Sequence, residues 1–345
     1  MSRLTVQNRV LNDGLDLLRI AAMFAVIWVH LSMYLPIPDD KRFIFSWGGY
    51  GVQVFFTLSG YLAAVSLHGN NDWKGYYKKR VVRILPPYYT IIIIAMIWNM
   101  FARDSIPDIF GLKWIRFFLG LNTILPSNDY EIWNNPYGWW TMSSFIWFYI
   151  LAPVLMKHIK NIKWAAVFVP ISLIAWVVWK VVISYLFGGV KDLDDVNMLS
   201  GASPFGMLIY FAFGILAFYA VKEKKELLTG FGLISFAIIG ILINRDAWAY
   251  SAITGVIIIL CNRYPITLKG KWKATVQFLG SHSFNVYLVH LLAFEMSWKF
   301  VCMFAKGNIL YLFWGVFAVG ILILLSCILN VVTKKFTLIK GIFKL

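Results

Sequence analysis

The sequence predicts an all-α integral membrane protein, a single domain over residues 1–345 built as a bundle of about ten transmembrane helices with both termini cytoplasmic. Three observations support this prediction. The chain is 60% hydrophobic and only 14% charged, which is too apolar for a soluble domain. Apolar runs long enough to cross a bilayer recur along the whole sequence. Lysines and arginines are concentrated in alternate connecting segments.

The apolar runs define ten predicted spans. The N-terminus is not expected to be a cleavable signal, because no short apolar run there ends in a small-residue cleavage site. No internal repeat is visible, so an inverted-repeat transporter gains no support. The predicted spans are approximately residues 15–35, 48–67, 84–102, 137–156, 164–187, 204–221, 227–243, 248–262, 280–303 and 308–332.

The net charge of +16 follows the predicted topology. With both termini inside, most of the 32 lysines and arginines fall in cytoplasmic segments, and the outer segments hold slightly more acids than cations. This is the positive-inside pattern of a membrane protein, so nucleic acid is not expected as a partner. The three cysteines, Cys261, Cys302 and Cys327, lie in or beside apolar runs. Their spacing indicates neither a disulfide framework nor a metal site.

The first span carries a fixed cation and a titratable ring. Arg19 and His30 are 11 residues apart, which at about 100° per residue places them on one helix face, about 16 Å apart along the axis. Asp16 lies three residues before Arg19 and is expected to pair with its guanidinium. Polar groups in a membrane helix usually face a bundle or a wet cavity. A simpler interpretation stays open, in which Arg19 reaches the cytoplasmic surface and His30 makes a core hydrogen bond.

The second span is rich in small residues. These residues let membrane helices pack closely, and close packing is one interpretation of this span. The other is that Ser59 and Tyr61 line a cavity.

A basic cluster follows at residues 76–89. It predicts the cytoplasmic mouth of the third span, with Pro86 and Pro87 opening that span. As a topology signal such a cluster is ordinary. Guanidinium groups also make bidentate, charge-assisted bonds to phosphate. Arg80 and Arg83 are therefore candidates for holding a phosphorylated cytosolic cofactor.

Spans 4 and 9 add further candidates. Span 4 begins with a Trp-rich stretch that includes Trp140, and span 9 places Tyr287 and His290 deep in an apolar run. A core histidine with satisfied hydrogen bonds is the ordinary explanation of His290. Glu295 and Lys299 have the i,i+4 spacing of a mutual ion pair, and no catalytic role is assigned to them.

Two predicted outer segments are long. Residues 103–136 contain GLKWIRFFLGL, an amphipathic stretch suited to the membrane interface, and residues 188–203 are acidic. Each is either a simple connector or a cap over a site in the membrane.

In this order the motifs resemble the membrane-bound acyltransferase 3 family, whose members move acyl groups onto extracytoplasmic glycans. Each motif alone is weak, but the ordered set covers nearly the whole chain. One position departs from the family pattern, because Phe145 stands where many members have a glutamate, so no role of that glutamate is transferred. The matching sequences are Asp16 and Arg19 followed by ten residues and His30, then FFTLSGYL at 55–62, KRVVRILPPY at 79–88, the Trp-rich start of span 4 with Tyr149 and Pro153, YFAFG at 210–214, and LGSHSFNVYLVH at 279–290.

The resemblance implies an O-acyltransferase of the bacterial cytoplasmic membrane. The donor is expected to be cytosolic acyl-CoA, by default acetyl-CoA, and no cofactor is expected to be bound permanently. The acceptor is expected to be a hydroxyl of an extracytoplasmic polysaccharide or glycolipid. On this hypothesis His30 is the base, because a neutral imidazole with an ordinary pKa near 6.5 suits proton transfer. Arg19 and Asp16 complete the catalytic set.

The remaining candidates divide by substrate. Direct transfer and a transient acyl-histidine both stay open. Ser59 and Tyr61 are candidates for polarising the thioester carbonyl. The donor-binding candidates are Arg19, Arg80, Arg83, Ser59 and Tyr61, and the acceptor-binding candidates are Tyr287, His290 and Trp140.

Two other classes of protein share this layout. A transporter or flippase for a glycolipid or small metabolite would suit intramembrane charges such as Lys180 and Glu295. A structural partner in a polysaccharide export complex would need neither transport nor transfer. The acyl group, the acceptor and the oligomeric state are not specified by the sequence.

Overall fold

The computed structural model describes residues 12–102, 112–124, 138–186 and 199–342. Within these ranges the regular structure is helical and no strand is present, which confirms the all-α prediction. The acidic part of the segment at 188–203 and much of the segment at 103–136 lie outside the described residues.

The helices are numbered here in chain order. Short 3-10 turns at Asp39–Lys41 and Trp47–Tyr50 flank the second helix. The helices are α1 Asp13–Leu31, α2 Phe43–Ser46, α3 Gly51–Leu67, α4 Trp73–Ala102, α5 Leu112–Leu119, α6 Trp140–His158, α7 Ile162–Leu186, α8 Pro204–Lys222, α9 Glu226–Leu242, α10 Asp246–Arg263, α11 Gly270–Val301 and α12 Asn308–Ile342.

Each of the ten predicted spans coincides with one of the long helices. Among the described residues, six helical segments are long and apolar enough to cross a membrane, and the rest of the ten-span topology, with cytoplasmic termini, stays a prediction. The six are Asp13–Leu31, Asp39–Leu67, Trp73–Ala102, Ile162–Tyr185, Pro204–Lys222 and Asn308–Thr337.

The start of the third span was predicted wrongly. Helix α4 begins at Trp73, so Pro86 and Pro87 lie inside it and do not open it. A membrane helix tolerates internal prolines because other groups satisfy the backbone that they free. Pro86 and Pro87 leave the carbonyls of Val82 and Arg83 without their usual amide donors. One turn further along, the Thr90 hydroxyl donates to the Pro86 carbonyl at 2.8 Å. Consequently Arg80 and Arg83 are helical residues with fixed directions, and not parts of a loop.

The start of α1 is tied to the segment before α11. The Asn12 side chain caps α1 by accepting from the Gly14 amide and also donates to the Cys261 carbonyl at 2.7 Å. The Asp13 carboxylate accepts from the Leu268 amide at 2.6 Å. Capping groups at a helix N-terminus satisfy amides that have no partner within the helix. These bonds fix the entry of α1 and therefore the height of the polar groups along it.

Close packing around α3 explains its small residues. At Gly51 an added Cβ would lie 2.4 Å from the Ala22 carbonyl oxygen of α1, and at Gly60 it would lie 2.1 Å from the Phe211 carbonyl oxygen of α8. The reverse contact is made by Gly214 of α8 against the Thr57 carbonyl oxygen. Glycine permits such backbone approach between membrane helices. The close-packing interpretation of the second span is thus confirmed, with two partners for α3.

The amphipathic stretch forms α5, and its position at the membrane interface stays a prediction. The Tyr88 hydroxyl of α4 donates to the Phe117 carbonyl of α5 at 3.1 Å.

The predicted ion pair of α11 is confirmed. On α11, the Lys299 ammonium lies 3.8 Å from the Glu295 carboxylate. That ammonium also donates to the Ala102 carbonyl at 2.9 Å.

Candidate functional site

A cleft opens among α1, α3, α4, α6 and α11, and is called here the arginine cleft. Three guanidinium groups from two helices meet in it, and no aspartate or glutamate is among the described residues that line it. Its volume is about 80 Å³, so it is a narrow slot. The lining residues are Arg19, Phe55, Leu58, Ser59, Leu62, Arg80, Arg83, Ile84, Phe145, Tyr149, Ser283, Phe284 and Tyr287.

Arg19 enters the cleft from α1 and is held by Asp16. Its Nη1 lies 2.6 Å from the Asp16 carboxylate, and the two side chains are 18% and 33% exposed. The predicted pair is present. Asp16 packs against Gly280 of α11, where an added Cβ would lie 3.1 Å from the Asp16 Oδ1. The glycine in the LGSHS motif therefore leaves room for the carboxylate that orients Arg19.

Arg80 and Arg83 enter the cleft from α4. The Arg80 guanidinium lies between two rings, with its carbon 5.3 Å from the centre of Tyr76 and 4.9 Å from the centre of Tyr149. Cation–π contacts of this kind hold a guanidinium in place. The Tyr149 hydroxyl is 3.4 Å from the hydroxyl of Ser59, so the polar lining continues from α6 to α3.

The far wall of the cleft is aromatic. Tyr287 lines the cleft and lies 5.7 Å, centre to centre, from Phe55 and 5.7 Å from His290. Its hydroxyl is 2.6 Å from the hydroxyl of Thr141. Tyr287 therefore contacts both the arginine cleft and His290.

His30 and His290 form a direct pair, which the sequence did not predict. The His290 Nε2 lies 3.0 Å from the His30 Nδ1. His290 is buried, with 1% of its surface exposed, and His30 is partly buried. Arg19 and His30 both face α11, as their spacing predicts, but His30 is not among the residues that line the cleft.

Two backbone carbonyls define the tautomers of this pair. The His290 Nδ1 lies 2.6 Å from the Tyr287 carbonyl, and the His30 Nδ1 lies 2.8 Å from the Val26 carbonyl. A carbonyl oxygen only accepts, so both Nδ1 atoms carry hydrogen and both Nε2 atoms of the neutral rings carry a lone pair. The His30 Nδ1–H is thus shared between Val26 and His290. The His30 Nε2, which has no hydrogen-bond partner among the described residues, is left as a proton acceptor.

Two predicted site residues are directed elsewhere. The Tyr61 hydroxyl donates to the Asn262 side chain at 2.7 Å, on the α10 side of α3. Tyr61 is two residues from Ser59, about 200° around the helix, which explains why the two do not share the cleft. Trp140 begins α6, about half a turn around that helix from Tyr149, and is not part of the cleft lining either. Neither residue lines the arginine cleft, and their predicted binding roles stay predictions.

Several cleft residues had no assigned role in the sequence prediction, among them Tyr149 and Phe55. Tyr149 was visible only as part of a motif, and Phe55 only as an apolar residue in one. Phe145, at the position of the family glutamate, packs on Phe56 with ring centres 4.2 Å apart. It gives the cleft an apolar wall at this position.

This fold and site define a class of protein: a multi-pass helical membrane protein with a cationic cleft and a buried imidazole pair beside it. Comparison with known protein families identifies the family to which the chain belongs. The model of the family described as "Acyltransferase domain" matches residues 12–331, and the chain belongs to this acyltransferase 3 family. It is an acyltransferase.

Three named relatives are similar over most of the chain. A protein of Acidianus two-tailed virus, named "Putative acetyltransferase ORF330", is 24% identical over 81% of this chain and 82% of its own length. The peptidoglycan O-acetyltransferase OatA of Listeria monocytogenes is 25% identical over 84% of this chain and 50% of its own length. "Putative peptidoglycan O-acetyltransferase YrhL" of Bacillus subtilis is 25% identical over 80% and 48%. The chain thus spans about half the length of the two bacterial relatives. No solved structure matches it.

Proposed function

We propose that this protein is a membrane O-acetyltransferase that moves an acetyl group from cytosolic acetyl-CoA to a hydroxyl of an extracytoplasmic glycan. The family and the O-acetyltransferase names of two relatives support the reaction type. The donor, the acceptor and the roles of individual residues are parts of the proposal.

The observation that carries it is the uncompensated charge of the arginine cleft. Arg19, Arg80 and Arg83 line one narrow slot, and the one carboxylate bonded to them in the described structure is Asp16. Charges removed from water are costly unless a partner neutralises them. The phosphates of the donor would supply the neutralising negative charge, and each guanidinium group can make two parallel hydrogen bonds to phosphate oxygens.

In the proposed reaction His30 acts as the general base. The acceptor hydroxyl oxygen attacks the thioester carbonyl carbon, its proton moves to the His30 Nε2, and the carbon–sulfur bond breaks. The CoA thiolate leaves and takes the proton back from the imidazolium. General bases of this kind contribute about 100- to 10,000-fold in rate.

His290 is proposed to position His30 and not to bind the acceptor. Its Nε2 accepts from the His30 Nδ1–H, which keeps the reactive lone pair on the opposite nitrogen. When His30 takes the proton, the same hydrogen bond and the Val26 carbonyl stabilise the imidazolium. The pair thus repeats the logic of a base that is oriented by a third group.

Tyr287 is proposed to gate the route between the two regions. The helical rise places His30 about 16 Å beyond Arg19 along α1, which suits an extended pantetheine arm whose phosphates stay at the arginines. Because the Tyr287 ring contacts both the cleft and His290, the arm is proposed to pass when that ring moves aside.

Release of CoA thiol by the purified full-length chain tests the function. In vesicles, acetyl-CoA and a glycan acceptor are expected to yield free thiol together with an acetyl mass increment on the glycan. Each product should depend on both substrates. Movement of a glycolipid across the vesicle without any thiol release would refute the transferase and favour the flippase.

A further inference from the structure

We infer that a second pocket, beside the arginine cleft, binds the nucleotide end of the acyl-CoA donor. This pocket, called here the lysine pocket, is lined by Leu67, His68, Gly69, Asn70, Asn71, Trp73, Pro153, Met156, Lys157, Lys160 and Tyr219. The inference rests on the proposed function, because it divides the same donor between two subsites.

The two cavities differ in size as the two ends of this donor do. The lysine pocket has a volume of about 630 Å³, against about 80 Å³ for the arginine cleft. Pockets for whole small molecules typically have about 300–1,000 Å³. A bulky adenosine phosphate therefore fits the lysine pocket, whereas the arginine cleft admits only a thin chain such as the pantetheine arm.

The two cavities share three helices. On α4, Trp73 of the lysine pocket lies seven residues before Arg80 of the cleft, which is two helical turns along one face, about 10 Å. On α6, Met156 lies seven residues after Tyr149, again on the same face. On α3, Leu67 follows Leu62 of the cleft. The pocket therefore lies one to two turns beyond the cleft, at the C-terminal ends of α3 and α6 and at the N-terminal end of α4.

Arg80 joins the two cavities. It is held between Tyr76, one turn from Trp73, and Tyr149, which lines the cleft. A guanidinium at this junction is placed to contact the diphosphate that links the nucleotide to the pantetheine arm.

The charge of the lysine pocket suits a phosphate-rich ligand. Lys157 and Lys160 line it with exposed side chains, and no acid is among its described lining residues. Two acids lie beside the pocket in sequence, and each accepts a hydrogen bond from a backbone amide. The Asp72 carboxylate accepts from the Gly75 amide at 2.8 Å, and the Glu223 carboxylate accepts from the Ile162 amide at 2.9 Å.

One wall of the pocket is organised by a chain of hydrogen bonds. The Lys222 ammonium donates to the His68 Nε2. The His68 Nδ1–H then donates to the Tyr219 hydroxyl at 3.3 Å, and that hydroxyl donates to the Ile159 carbonyl at 2.5 Å. This arrangement holds the pocket wall and brings a third ammonium near it. Trp73, which is 37% exposed, offers a ring face on which adenine can stack.

Equilibrium binding to the full chain in detergent tests the inference without any turnover. The probes are CoA, labelled for the direct measurement, and adenosine 3′,5′-bisphosphate as a competitor. In the wild-type chain the bisphosphate is expected to displace CoA. The double variant Lys157→Ala/Lys160→Ala is expected to weaken both ligands about 5- to 10-fold, because exposed ion pairs contribute modestly. Pantetheine should bind equally to both chains.

The matched control is Lys163→Ala, a lysine that lines a different groove between α7 and α9, and it should bind CoA as the wild type does. Wild-type CoA affinity in the double variant, or a bisphosphate that fails to compete, would overturn the subsite and leave the donor proposal standing. A wild-type chain that binds no CoA at all would overturn both.

Discussion

The arginine cleft and the histidine pair lie along the same two helices, α1 and α11, and are opposite in character. The cleft holds three guanidinium groups with one carboxylate partner, Asp16. The histidine pair holds no acid or fixed cation, is largely buried, and is hydrogen-bonded at both Nδ1 atoms. The cleft is therefore suited to attract an anion. The two histidines are arranged to hold the lone pair of the His30 Nε2 in a fixed position.

This difference separates binding from chemistry. Interactions made equally with substrate and transition state change KM, whereas those made only in the transition state change kcat. Variants in the cleft are expected to change the affinity for the donor, and variants in the pair are expected to change the rate of transfer. Each prediction below tests one side of this separation.

The largest effect is expected for His30→Ala. Loss of the general base should lower kcat for CoA thiol release about 100- to 10,000-fold, while the Kd for CoA stays unchanged because the cleft is intact. Thiol release and CoA binding are measured on the same preparation. Transfer at the wild-type rate would show that His30 is not the general base. Loss of CoA binding would show that the histidine pair also contributes to donor affinity.

The next largest effect is expected for His290. Phenylalanine fills the same space without an acceptor, so His290→Phe should lower kcat about 10- to 100-fold, because hydrogen bonds to charged groups contribute about 1.5–3 kcal/mol. His290→Gln places an amide oxygen near the Nε2 position and should recover much of the rate. His290→Asn, whose amide does not reach that far, should resemble phenylalanine.

A purely structural role for His290 predicts a different ranking of the three variants by kcat. In that case all three variants would change kcat in proportion to their loss of thermal stability, and glutamine would show no selective rescue.

Helix positions could be predicted from the sequence, because the apolar runs are a strong signal and each of the ten predicted spans coincides with a helix. The ends of these helices could not. Helices α4 and α11 begin about ten residues earlier than their apolar runs, at Trp73 and Gly270. Hydropathy detects the part of a helix suited to hydrocarbon, whereas the helix itself continues into water with charged residues such as Lys78.

The candidate site was predictable only in part, for a similar reason. The spacing of Asp16, Arg19 and His30 is local, so helical geometry alone predicts their shared side. The contact between His30 and His290 joins residues 260 positions apart and depends on how α1 packs against α11. A single sequence carries no such distance, and the ordinary core interpretation of His290 was therefore reasonable and incomplete.

A moderate effect on binding is expected for Arg83→Ala. Removing one charge-assisted partner of a phosphate should raise KM for acetyl-CoA about 10-fold, with kcat nearly unchanged. Arg83→Lys should recover part of the affinity, because lysine keeps the charge and loses the bidentate geometry.

The matched control for this substitution is Arg42→Ala. Arg42 pairs with Asp39 on the surface at 2.9 Å and does not line the cleft, so its loss should leave both constants unchanged. A fall in kcat for Arg83→Ala without any rise in KM would break the separation between binding and chemistry.

The smallest effect is expected for His68, which lines the lysine pocket and lies outside the membrane-spanning segments. Burial, and then the charge of Lys222, lower its pKa below the usual 6.5. A histidine with a lowered pKa in the folded state binds fewer protons than in the unfolded state, so stability is lost as pH falls below about 6.5 towards the folded value.

The melting temperature of the wild type should therefore drop slightly more between pH 7 and pH 5.5 than that of His68→Gln. Glutamine keeps a polar group beside Lys222 and Tyr219 and does not titrate. Equal drops in the two chains would show that the titration of His68 contributes nothing to the pH dependence of stability.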